Sequence, residues 1–165
     1  MSKAKDIAWN PRIGAAPNAR RELPVLVRAY FAQVRELLAA DPPPAELHAI
    51  RLASKRLRYT LELFRPCYGP GLKLRLVTLQ RLQQVLGDVN DCAAAERLLE
   101  SVLPPSPARS RVARFLRDRA SSKAIELRKE WREVFDAPGR EQWWIEYLAG
   151  NAKAGKVFPK HGILH

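Results

Sequence analysis

Ligands for transition metals are scarce in this chain. Its 165 residues hold two cysteines, Cys67 and Cys92, and three histidines, His48, His161 and His165. The cysteines form no Cys-x-x-Cys pair and have no neighbouring histidine, so neither a zinc site nor a disulfide framework is expected. Both read as buried or half-buried free thiols. His48 has no second imidazole or thiol three or four residues away with which to share a metal. No metal and no cofactor are therefore expected. Long apolar runs are missing too, since nothing approaches the roughly 20 residues that span a bilayer. The N-terminus, Met1-Ser-Lys-Ala-Lys-Asp, opens on charge with no apolar signal region behind it. The expected location is cytoplasmic.

Catalytic arrangements are equally thin. There is no paired-carboxylate pattern and no Ser or Cys nucleophile with an indicated base. The Glu-x-Glu-x-Lys run of tunnel-type phosphohydrolases is absent. Gly150-Asn-Ala-Lys-Ala-Gly155-Lys156 fits a phosphate loop up to its last position, where Val157 replaces the hydroxyl that would hold magnesium. No strand precedes that segment and Pro159 closes off a helix after it, so the match reads as coincidence. No enzymatic activity is expected. Turns 86–91 (Leu-Gly-Asp-Val-Asn-Asp) lack the spacing of a calcium loop and read as helix caps.

Strand-like alternation is also missing, and the class is all-α, an antiparallel helical bundle. Leu23, Leu26, Val27, Tyr30, Phe31, Val34 and Leu38 share one helical stripe, with Pro24 suited to a first turn. Breakers at 41–44 and 66–71 bound a second helix over about 45–65. A third is expected over 72–86 with Gly87 just past its end, a fourth over 90–103 capped by Asp88 or Asn90, and a fifth over 109–135. A short helix holding Trp143, Trp144 and Tyr147 follows. The expected organisation is an extended arm over 1–20, a helical domain over 21–136, and a short helix with a tail over 137–165.

What the chain has in excess is positive charge. Twenty-nine Lys and Arg face seventeen acids, a net charge of +12, and an anionic partner is the physical expectation. Arg outnumbers Lys, and its planar fork of donors suits phosphate oxygens, although genome base composition is a second source of arginine. The charge is densest on the second helix, where Arg51, Lys55, Arg56 and Arg58 fall within eight residues. Ile50, Ala53, Leu57, Leu61 and Phe64 form its packing face, while His48, Arg51, Lys55, Arg58 and Tyr59 lie on other stripes. Glu62 can pair with Arg58 or Arg65, but Arg51 and Lys55 have no acid four residues away. Successive helical turns repeat every ~5.4 Å, so Arg51, Lys55 and Arg58 can each meet a different phosphate of one linear polyanion.

The wording of this stretch, His48-x-x-Arg51-x-x-x-Lys55-Arg56-Leu57-Arg58-Tyr59, resembles the signature helix of the CHAD family, the conserved-histidine α-helical domains. Leu82-Gln83-x-x-Leu86-Gly87-x-x-Asn90-Asp91 resembles the second signature of that family. The resemblance covers roughly residues 20–135. It implies an all-helical domain that binds inorganic polyphosphate through a basic surface, without established catalysis of its own. The family is usually built from two related four-helix units in tandem, whereas this chain carries one signature, a short single-unit form. A homodimer in which a second chain supplies the missing unit is therefore expected.

The expected polyphosphate contacts are Arg51, Lys55 and Arg58, then His48 and Arg56, then Lys123 and Arg119 on the fifth helix. Tyr59 and Asp91 are expected in support, with Asp91 orienting Arg51 or Arg56. His48 reads as a hydrogen-bond donor to phosphate or a structural tie. Arg75 intrudes into the leucine face of the third helix. Trp143, Trp144 and Tyr147 could stack nucleobases, but more simply pack the tail or a dimer contact. Coulomb attraction to phosphates carries no base identity, so two alternatives stand beside polyphosphate. One is a helical nucleic-acid-binding protein using the same charges. The other is a scaffold whose basic face meets an acidic partner or the surface of a polyphosphate or storage granule.

Overall fold

Five α-helices carry the backbone of the computed structural model, which describes residues 8–150. They are α1 (Ala15–Ala39), α2 (His48–Leu63), α3 (Gly71–Val102), α4 (Pro107–Glu130) and α5 (Arg140–Leu148). Short 3-10 turns over Pro44–Leu47 and Arg65–Cys67 join α1 to α2 and α2 to α3. The end of α4 widens into a π turn over Trp131–Phe135. No strand occurs among the described residues, and the fold is the expected all-α bundle. No described helix is long and apolar enough to cross a membrane.

The core sits where α1, α2, the N-terminal part of α3, the π turn and α5 meet. Leu23, Val27, Phe31, Ile50, Leu61, Leu79, Leu86, Phe135, Trp144 and Leu148 are all 1% exposed or less. Phe31, Trp131 and Phe135 stack with centroids 5.0–5.6 Å apart, a geometry that adds about 0.5–1.5 kcal/mol per pair beyond area burial. Tyr30 shares a hydrogen bond of 2.7 Å with Ser54, whose hydroxyl also donates to the Ile50 carbonyl, so the one polar pair buried between α1 and α2 is satisfied. Cys92 is buried and Cys67 half-buried, both as free thiols.

Three boundaries depart from the sequence reading. Helix α1 begins at Ala15, two turns before the expected start, and Pro24 lies inside it. The reason is Asn18, which is buried: its amide donates to the carbonyls of Asn10, Ile13 and Gly14, and its Oδ1 accepts from the Asn10 N–H. That knot pairs polar groups of the turn over 10–14 and ties the arm to α1. Trp9 of the arm stacks on Phe64.

The second departure is α3, which runs unbroken through Gly87, Asp88 and Asn90. Gly87 therefore ends no helix, and neither Asp88 nor Asn90 caps one. Their side chains are taken by neighbouring helices: Asp88 pairs with Lys123 at 3.4 Å and Asn90 with His48 at 3.0 Å. Buried Leu82, Val85, Leu86, Val89 and Cys92 pack continuously across the junction. This burial outweighs the helical cost of one glycine, about 1 kcal/mol.

The third concerns the C-terminal boundary. Helix α5 is no appendage, because Trp144 and Leu148 enter the core and Arg35 of α1 binds both Asp136 and Glu141. Residues 15–148 pack as one unit. The phosphate-loop-like segment after Gly150, with His161 and His165, lies outside the described residues.

Candidate functional site

Helix α2 buries Ile50, Ser54, Leu57 and Leu61. Counting 100° per residue, His48, Arg51, Lys55, Arg58 and Glu62 fall within about 80° of one another, on the flank of that buried face. Arg51, Lys55 and Arg58 are half-buried there and His48 is exposed. The Arg58 guanidinium lies 4.9 Å over the ring of Tyr59. Arg56 is exposed on the neighbouring face, and only its carbonyl is engaged, by the Thr60 hydroxyl at 2.9 Å.

The stripe runs beside α3. His48 Nδ1–H donates to Asn90 Oδ1 at 3.0 Å, which fixes the register of two antiparallel helices. At 1.5 Å per residue that register sets Arg51 level with Gly87 and Lys55 level with Gln83. Gln83, Gly87 and Asn90 recur at i, i+4 and i+7, so they share one stripe of α3 within about 60°. At the far end Glu62 joins Arg65, Tyr68, Leu72 and Lys73 around an open cleft of about 650 Å³. The α2 flank beside α3 thus carries a row of cations, and the facing α3 stripe carries the amides Gln83 and Asn90.

Its electrostatics are unbalanced. Arg51 and Lys55 make no ion pair with a described residue, and Arg58 meets Glu62 only at 3.8 Å, beyond hydrogen-bond reach. Among the described residues Arg51 Nε, Arg58 Nε and Gln83 Nε2 are buried and without hydrogen-bond partners, as are Arg75 Nε and Arg128 Nε elsewhere in the fold. Buried donors are normally paired, and an unpaired one costs roughly 1–3 kcal/mol. All three are donors, so the partner they suit is an acceptor. Among the described residues no cluster of three His, Cys, Asp or Glu side chains could hold a metal ion.

Other expected residues are arranged differently. Lys123 stands on α4, which packs against α3. Its ammonium is held by Glu126 at 2.7 Å and Asp88 at 3.4 Å, and the Glu126 hydrogen bond raises its pKa. Arg119 is exposed on α4, one turn before Lys123. Asp91 is exposed and meets neither Arg51 nor Arg56 among the described residues; from that turn it is Asn90 that reaches α2. Sequence reasoning passed over Asn90 and Gln83 as contacts, although both lie in the second signature, because the expected helix break at Gly87 separated them.

Arg75 also has an unexpected setting. It is 3% exposed, with its guanidinium 3.5 Å from the Trp143 ring centroid and 3.9 Å from that of Tyr147. It donates to the carbonyls of Trp143 at 2.6 Å and Gly71 at 3.2 Å. Burial pushes its pKa down to about 10. Trp143 and Tyr147 therefore clamp an arginine, and Trp144 fills the core, so these rings fasten α5 to α3.

The model of the CHAD domain family matches residues 2–100. The match spans α1 and α2, takes in both motifs and ends in the last turn of α3. No curated protein and no solved structure matches the chain.

Proposed function

The chain belongs to the CHAD domain family, which is associated with polyphosphate binding, and from that premise we propose that it binds inorganic polyphosphate along the seam between α2 and α3. Arg51, Lys55 and Arg58 are the principal contacts, with His48 and Arg56 beside them. Arg119 and Lys123 add only long-range attraction in this reading. The observation that carries it is the row of half-buried cations on α2 whose only acid is Glu62 at one end, with three buried donors, Arg51 Nε, Arg58 Nε and Gln83 Nε2 of α3, that find no partner among the described residues.

Binding is non-catalytic in this proposal, and the protein acts in the cytoplasm at polyphosphate or storage granules. Two chains associate, so that a second copy supplies the unit that the family's tandem form carries in one chain. The test is competition at one fixed salt concentration between long-chain polyphosphate, short polyphosphate, single-stranded RNA and duplex DNA. Preference for polyphosphate by tenfold or more is expected. Comparable affinities for all four would reduce the seam to a basic surface without selectivity.

A further inference from the structure

Gly87 is costly where it stands. A glycine in a helix interior is about 1 kcal/mol less favourable than alanine, and glycine is normally retained there for a positive φ or for close packing. Neither applies. The positive-φ glycines of the described chain are Gly139 and Gly150, and a Cβ built on Gly87 meets no atom within 4 Å. The contrast with Gly71 is direct, since a Cβ there would lie 2.7 Å from the Tyr147 ring. What Gly87 does have is position: it is level with Arg51, on the α3 stripe between Gln83 and Asn90.

We propose that Gly87 and Gln83 form the α3 wall of the anion site, with Gly87 leaving bare helix surface against which a phosphate chain lies and Gln83 Nε2 donating to that chain. This rests on the polyphosphate reading and extends it from one helix to two. With cations on α2 alone, a phosphate chain would be held from one side. A bare patch opposite Arg51 lets it sink into the seam, toward the buried donors Arg51 Nε and Gln83 Nε2. Asn90, tied to His48, sets the register of the two walls.

The experiment pairs stability with affinity. Gly87→Ala and Gly87→Leu are titrated calorimetrically with long-chain polyphosphate and melted in its absence, beside Gln83→Glu and the charge variant Arg51→Gln/Lys55→Gln/Arg58→Gln. Gly87→Ala is expected to melt no lower than the parent yet to bind at least threefold more weakly, and Gly87→Leu at least tenfold more weakly. Gln83→Glu, which keeps the shape and replaces a donor by an anion, is expected to lose tenfold or more. If the charge variant loses binding while both Gly87 variants and Gln83→Glu bind like the parent, the α3 wall is overturned and the polyphosphate reading stands. If the charge variant binds like the parent, both fall.

Discussion

Replacing Arg51, Lys55 and Arg58 together by Gln removes three charges from the seam while keeping side-chain stems that cover it. A unit charge pair at 4 Å is worth about 4 kcal/mol at the effective dielectric of a protein surface. Most of that is returned in lost hydration, leaving on the order of 1–1.5 kcal/mol net per contact for half-buried cations such as Arg58, whose side chain is 24% exposed. Three such contacts on one polyanion amount to about 3–4 kcal/mol, or two to three powers of ten in Kd. The salt dependence changes as well. At about 0.7 released counterions per neutralised charge of a single strand, the slope of log K against log salt should flatten by about 2. The melting temperature should move little, because the trio's only ion pair among the described residues is the long Arg58–Glu62 contact. The control carries the same formal change on exposed α4 positions, Arg111→Gln, Arg114→Gln and Lys129→Gln. Its loss should stay below tenfold and fade as salt nears physiological strength. Titration calorimetry at two salt concentrations reads both. Equal losses in the two variants would refute the idea of a site and leave only net charge.

Gly71→Ala should lower the melting point by several degrees through a clash costing about 1–3 kcal/mol, because the new methyl meets the Tyr147 ring; thermal melts followed by circular dichroism check this. Polyphosphate incubated with the protein and magnesium should keep its chain length on gels, and release of orthophosphate in step with enzyme concentration would contradict a purely binding role. Alkaline stability has a definite sign. Burial raises the pKa of Tyr30 and of Tyr68 well above the ordinary 10, so above that pH the unfolded chain sheds protons that the fold retains, and stability falls. Arg75, shifted down to about 10, opposes this in the same window, one group against two. Denaturation midpoints between pH 9 and 12 should drop, and drop less steeply in Tyr30→Phe/Tyr68→Phe. Light scattering in the micromolar range should report a dimer, and a monomer throughout would remove the second copy from the proposal.

Helix α2 was legible in the sequence because everything that defines it is local: breakers at both ends, an apolar face and a dense row of cations. Helix α3 was not, because Gly87, Asp88 and Asn90 spell a stop and a cap to any reading of the backbone alone. What keeps the helix going is that Lys123 and His48, distant in sequence, claim the two side chains that would otherwise have capped. Periodicity marks Lys123 as a cation on an apolar stripe but cannot show that Asp88 of α3 meets its ammonium. Arg75 was visible as an intruder among leucines, while its cage of Trp143 and Tyr147 lies some seventy residues further on. The start of α1 was hidden by Asn18, whose partners are backbone carbonyls and leave no compositional trace.

The length of α3 sets a gradient of local opening along one helix. At 32 residues it is twice as long as α2, and the His48–Asn90 bond marks where α2 ends its cover. Before that point Leu72, Leu79, Leu82 and Leu86 are sealed in the core, whereas toward the end of the helix Leu98 and Val102 are more than 60% exposed. Amide hydrogens of residues 76–90 should therefore exchange only with global unfolding, and those of 95–102 through fraying of the hairpin tip. Polyphosphate held at the seam would slow the first group and leave the second unchanged, so deuterium uptake along a single helix separates anchoring at the seam from diffuse adsorption over the basic surface.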